Sequence, residues 1–123
     1  MSSSATKIGD EGEQIAVDYL VAKGYKILGR KYACNRGELD IVAQTADVLV
    51  FAEVKNYSES SYHDALDALT PKKIKKIIAA AHHYLYENDI ADDMQVRFDV
   101  VAIDRKGGAI TINHIPDAFE ADG

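Results

Sequence analysis

The segment GELDIVAQTADVLVFAEVK, residues 37–55, places Glu38, Asp40, Glu53 and Lys55 at the ends of two strand-like apolar runs. Side chains alternate along a strand, so Glu38, Asp40 and Val42 are expected on one face, and Phe51, Glu53 and Lys55 on one face of the next strand. A hairpin turning on Ala46-Asp47 pairs Gln44 with Leu49, Val42 with Phe51, Asp40 with Glu53 and Glu38 with Lys55. Asp40 and Glu53 then stand side by side, roughly 5 Å apart at Cβ. Like charges so placed destabilise a strand pair, and more so beside a buried run such as Val48 to Val54. A divalent cation would offset that cost: Mg²⁺ favours oxygen ligands, typically one or two carboxylates with water and substrate phosphate. Lys55, one strand step on, would then face the attacking water or the phosphate. The plainer alternative is a solvated sheet end in which Lys55 pairs with one of the two acids.

The elements that must hold these residues follow from local signals. Residues 8–23 read as a helix, with Ala16, Tyr19, Leu20 and Lys23 at helical spacing and Gly24 as a C-cap. Residues 25–32 read as a strand, with Gly29 marking a bulge or close approach. Residues 38–44 and 48–55 are strands rich in branched and aromatic side chains. NYSESSY (56–62) is a polar loop. Thr70-Pro71 is an N-cap followed by proline at the first helical position, opening a helix to about Glu87. Its apolar stripe is Ile74, Ile77, Ile78, Ala81 and Leu85. Residues 94–103 form a strand, DRKGG a turn, and AITINHI (109–115) a last strand. The acidic stretch from Pro116 reads as a tail, and residues 1–7 as a flexible start to a single domain over 8–115. The order is α-β-β-β-α-β-β. Three strands over 25–55 can pair antiparallel, and the long helix lets the strand at 94–103 return in parallel. The expected fold class is α/β, a mixed sheet flanked by helices.

Composition limits the function classes. No apolar run approaches the roughly 20 residues of a membrane span. The single cysteine, Cys34, cannot form an internal disulfide, and the first residues lack the pattern of a secretory signal, so a cytoplasmic protein is expected. Residues 1–86 balance 11 acidic against 11 basic side chains, whereas residues 87–123, with 9 acidic and 3 basic, carry the whole net charge of −6. Basic residues cluster at Lys23, Lys26, Arg30, Lys31 and Arg36, and again at Lys72, Lys73, Lys75 and Lys76. An acidic protein can still present such local positive surfaces to a phosphate backbone.

An acid on one strand followed by Glu-x-Lys on its neighbour resembles the PD-(D/E)xK nuclease signature. In unbroken order, GDEGEQIAVDYLVAKGYKILGRKY, GELDIVA, VFAEVK, KKIKKIIAAAHHYL and RFDVV resemble the YraN family of bacterial proteins over residues 9–103. That family is related in fold to restriction endonucleases and archaeal Holliday junction resolvases, so the resemblance implies a restriction-endonuclease-like fold. It further implies metal-dependent hydrolysis of DNA; no segment of the sequence suits base readout, so branched or flapped DNA is the expected substrate. On this resemblance Asp40 and Glu53 hold Mg²⁺ or Mn²⁺, and Glu13 on the first helix is a further ligand or outer group. Lys55 serves the water and the developing charge, while Glu38 is supporting. Lys73 and Arg36 would contact flanking phosphates. Arg97, Phe98 and Asp99 match a triplet read as architectural. Where the family has arginine two residues after the motif lysine, this chain has Tyr57, a side chain that would stack on an exposed base. The resolvase relatives imply a homodimer. Two other readings stay open: a non-catalytic nucleic-acid-binding or scaffold module that kept the fold, and a purely structural ion network.

Overall fold

The computed structural model describes residues 4–57 and 69–121. Its elements run α1 (Ser4–Ala22), β1 (Lys26–Cys34), β2 (Gly37–Thr45), β3 (Val48–Tyr57), α2 (Pro71–Glu87), β4 (Gln95–Asp104), a short 3-10 turn (Lys106–Gly108) and β5 (Thr111–Phe119). This is the expected α-β-β-β-α-β-β order. The strands lie side by side in the order β1-β2-β3-β4-β5. β1, β2 and β3 form an antiparallel meander, β4 joins β3 in parallel, and β5 closes the far edge antiparallel to β4. The parallel joint needs the long crossover that α2 supplies.

Local chemistry accounts for the element ends. Thr70 caps α2, its Oγ1 accepting from the Lys73 N–H at 3.3 Å, and Pro71 follows where its missing N–H costs nothing. α1 stops at Gly24, whose φ of 94° is open to glycine, and the Tyr25 N–H returns to the Leu20 carbonyl. Gly29 falls where the β1–β2 register slips, the expected bulge. Gly37 is required by contact: a Cβ there would lie 2.8 Å from the Lys76 backbone oxygen of α2.

Two cores sandwich the sheet. Against α1, Ala16, Val17 and Leu20 meet Ile41, Ala43, Ala52, Val101 and Ile103. Against α2, Ile77, Ala80, Ala81 and Tyr84 meet Leu39, Val42, Leu49, Phe51 and Phe98. Burial on both faces explains why Val48–Ala52 and Val100–Ile103 read as continuous apolar runs. The buried stripe of α2 lies slightly around from the expected one: Ala80 and Tyr84 are buried, while Ile74, Ile78 and Leu85 are half-buried.

Three boundaries differ from expectation. Residues 4–7, expected as a flexible start, form the first turn of α1. β3 takes in Asn56 and Tyr57, and the rest of the expected loop lies outside the described residues. β5 continues past Ile115 through Pro116 to Phe119, so residues 116–119 are not tail. The cause is aromatic: Phe119 stacks on Phe98 at 5.0 Å, and Phe98 on Phe51 at 5.6 Å. A register slip with Asp117 at φ 55° accommodates the proline at this edge.

Candidate functional site

The hairpin turns on Ala46-Asp47, and pairing runs from Thr45↔Val48 to Ile41↔Ala52 in the expected register. It stops there. Asp40 and Glu53 are therefore not ladder partners but lie just beyond the last pair, where β2 and β3 separate. The strict alternation expected of Glu38, Asp40 and Val42 is also broken. Leu39 and Val42 both pack in the α2 core, yet Ile41 between them packs in the α1 core. Opposite Asp40, between the pairs Arg30↔Ile41 and Tyr32↔Leu39, stands Lys31 with φ of 51°. A non-glycine residue there costs about 1–3 kcal/mol, strain of the kind that gathers at working sites.

The distortion sets the Asp40 carboxylate between the two strands. Its Oδ2 accepts from the Val54 N–H at 2.8 Å, taking the place of a ladder bond. Glu53 lies within hydrogen-bonding reach of the same carboxylate. Burial, and then the Asp40 charge beside it, push the Glu53 carboxyl up to about 9, with Lys55 only partly countering them. Glu53 is therefore favoured in its protonated form at neutral pH, next to Asp40. By strand alternation Glu53 and Lys55 continue the Phe51 row on the α2 face, so Lys55 is the cation that follows this carboxyl pair.

Glu13 stands apart from the pair. It is 6 % exposed on α1, and its Oε1 accepts from Arg30 Nε at 2.9 Å. Gln14 takes a second bond from the same guanidinium. Glu13 and Asp40 line one cavity of about 420 Å³, with Asp10, Lys31, Glu38 and Asn56 also in its wall. Lys31 is bound there to Asp10 at 2.6 Å. Among the described residues, no three Asp, Glu, His or Cys side chains are grouped to hold a metal ion. The arrangement brings together Asp40 and Glu53, keeps Lys55 in electrostatic reach, and leaves Glu13 and Glu38 around the adjoining cavity. Two carboxyls in contact are a donor set of the kind a divalent cation takes, one or two carboxylates beside water and phosphate.

Of the expected phosphate contacts, Lys73 is exposed at the first turn of α2 and Arg36 is exposed in the β1–β2 turn. Tyr57 is a correction. It is 7 % exposed, packs on Ala102, and its hydroxyl accepts from Asn113 Nδ2 at 3.0 Å, so it offers no face to a base. Asp99 is architectural, as the sequence indicated. It is fully buried and accepts two bonds from Arg97 and one from the Asp117 N–H, with His114 Nε2 at 2.7 Å. Burial alone would raise its pKa, but the bonds from His114, Arg97 and Asp117 outweigh it and hold the carboxyl at about 2.

The family model of uncharacterised protein family UPF0102 matches residues 12–103. The chain belongs to this family. A UPF0102 protein of Nitrosococcus oceani is 40% identical over 114 residues, covering 93% of this chain and 92% of the relative. One from Syntrophotalea carbinolica is 40% identical over 123 residues, covering 100% and 99%. One from Christiangramia forsetii is 38% identical, covering 92% and 93%. The matched span contains Glu13, Asp40, Glu53, Lys55 and Arg97-Phe98-Asp99, so the carboxyl pair lies within the family's common region. None of these names carries an activity. Among the described residues, no helix is long and apolar enough to cross a membrane.

Proposed function

We propose that this UPF0102 protein is a metal-dependent endonuclease that hydrolyses phosphodiester bonds of DNA. The observation that supports it best is the half-buried Asp40–Glu53 carboxyl pair, two acids within hydrogen-bonding reach of one another, with Lys55 in electrostatic reach. A fold gains no stability from two such acids in contact; a cation and a phosphate would give the arrangement a use. Asp40 and Glu53 would hold Mg²⁺ or Mn²⁺, and Glu53 must release its proton for the ion to enter. When bound, the ion supplies a Lewis acid for the phosphoryl oxygen and lowers the pKa of its water. Lys55 holds the attacking water and stabilises the charge that develops on the phosphoryl oxygens. The Val54 N–H fixes the Asp40 carboxylate, so the geometry is set before substrate arrives. Lys73 and Arg36 contact flanking phosphates, which fix register without reading sequence. Among the described residues no element is placed to read bases, so branched or flapped DNA suits the site better than a particular sequence.

One observation favours a second reading. The Glu13 carboxylate is occupied by Arg30, which suits a nucleic-acid-binding or scaffold module that kept the fold without the chemistry. A panel of linear, flapped and four-way DNA substrates with Mg²⁺ or Mn²⁺ separates the two. Under single turnover at saturating protein, Lys55→Ala is expected to cleave about a hundredfold slower or worse, the scale of one lost electrostatic contact to the transition state. Cleavage of none of the substrates by the native protein, or native-rate cleavage by Lys55→Ala, overturns the nuclease reading.

A further inference from the structure

The outer face of α2 carries features that the carboxyl pair does not use. At about 100° per residue, Lys72, Lys75, Lys76, His82 and Tyr86 fall within an arc of about 120°, on the side away from the buried Ile77, Ala81 and Tyr84. All five are exposed. They span about 21 Å along the helix. Tyr86 is 85 % exposed, far above every other large apolar side chain among the described residues. An aromatic ring left so open on a helix gains nothing for the fold.

The turn before β2 lies against this face. Gly37 approaches the Lys76 carbonyl so closely that no side chain fits. Arg36, next to it, lines a hollow of about 340 Å³ together with His82, His83 and Tyr86. His83 is held there by Tyr32, whose hydroxyl bonds its Nδ1. The hollow therefore has a cation on one wall, an open ring on another and a fixed imidazole between. Past Tyr86 the charge reverses, with Glu87, Asp89, Asp92 and Asp93 all exposed. A polyanion would be attracted along the lysines and repelled beyond the tyrosine. From Gly37 to Asp40 the chain covers about 10 Å of strand, so the Arg36 turn leads directly into the strand that carries Asp40.

We propose that the outer face of α2 and the Arg36 turn form a track for single-stranded nucleic acid, with one base stacked on Tyr86 and the phosphates passing over Lys72, Lys75 and Lys76. Stacking needs an unpaired base, whereas a duplex keeps its bases covered. The track thus takes the unpaired arm of a flapped or branched substrate and presents the junction to the carboxyl pair. It deepens the nuclease reading and rests on it only for the choice of nucleic acid as partner. It also replaces Tyr57, which is buried, with Tyr86 as the stacking ring.

The test is fluorescence anisotropy of the full chain with labelled oligothymidylate and with duplex of equal length, in chelator, across a salt series. The native protein is expected to bind the single strand more tightly than the duplex. Tyr86→Ala should weaken single-strand binding about tenfold or more, the scale of one lost base–aromatic stack, while Tyr86→Phe retains it. Replacing Lys75 and Lys76 together by glutamine should flatten the salt dependence by about 1.4 in log–log slope, roughly 0.7 for each phosphate released. All these positions are exposed, so loss of folding does not confound them. Equal affinity for single strand and duplex, undiminished binding by Tyr86→Ala, or an unchanged slope overturns the track. Binding as described without cleavage of any substrate overturns the nuclease reading alone, and cleavage with Tyr86→Ala affinity intact overturns the track alone.

Discussion

Glu53→Gln tests the carboxyl pair directly, because it removes the charge and leaves the shape. Glu53 begins from an ordinary value of 4.5 and is pushed up to about 9 by burial and then by Asp40. Below pH 4.5 the folded and unfolded chains both hold this proton, and the site costs nothing. Between 4.5 and about 9 the unfolded chain releases it while the folded chain keeps it, so stability falls as pH rises. At pH 7.5 that is three units at about 1.4 kcal/mol each, or about 4 kcal/mol against the native fold. A glutamine removes this penalty but must still bury an amide with incomplete hydrogen bonding, at a cost of about 2 kcal/mol. The net gain is about 2 kcal/mol, near 8 °C in Tm for a domain of this size. At pH 5 the penalty shrinks to about 1 kcal/mol or less, so the amide cost dominates and the variant should melt below the native protein. Chemical denaturation of both proteins from pH 5 to 8.5, metal-free, reads the difference, with titrating groups remote from the pair cancelling between the two proteins. A gap that is the same at pH 5 and pH 8 would refute the raised Glu53 pKa and with it the electrostatic argument for a cation.

Mg²⁺ or Mn²⁺ at millimolar concentration should raise the Tm of the native protein, more at pH 8 than at pH 6 because Glu53 must deprotonate, and Asp40→Asn should abolish the shift; no shift in the native protein by differential scanning fluorimetry would count against the ion. Asp99→Asn should lose about 3 kcal/mol or more by urea denaturation, since it leaves the Arg97 guanidinium and His114 facing an uncharged partner in the core. In the native protein the Asp99 contribution is complete above pH 3.8 and is lost as pH falls toward about 2. Gly37→Ala should cost about 1–3 kcal/mol by the same assay, because its Cβ meets backbone rather than a side chain that can swing away. Sedimentation velocity at tens of micromolar is expected to show a homodimer, and a monomer with and without DNA would remove that expectation.

Signals that act over a few residues were legible in the sequence. The Thr70-Pro71 cap, the Gly24 stop, the Gly29 bulge and the Ala46-Asp47 turn depend on groups within one turn of each other, so composition and spacing determine them. The turn in turn set the β2–β3 register, which brings Asp40 and Glu53 to the same end of the sheet. The α-β-β-β-α-β-β order followed from the periods of the apolar residues and from the crossover that a parallel return requires. What those signals do not contain is any term linking residues far apart in the chain. Strict alternation would have kept Asp40 on the face of Val42; the break at Asp40, opposite the strained Lys31, instead aims it between strands. Glu13 read as a further ligand or outer group, but its partner is Arg30 across a helix–strand contact, which helical spacing alone does not specify. Tyr57 read as an exposed ring because a polar loop was expected to start beside it; Ala102 and Asn113, on strands that arrive much later, cover it instead. Pro116 read as a strand end, but the stack of Phe119 on Phe98 draws the edge strand past it. Tyr86 gave no signal at all in sequence, since whether a helical tyrosine is core or open depends on which side of α2 the sheet occupies. Each of these was decided by a contact between distant residues, whose energy exists only once the chain has folded.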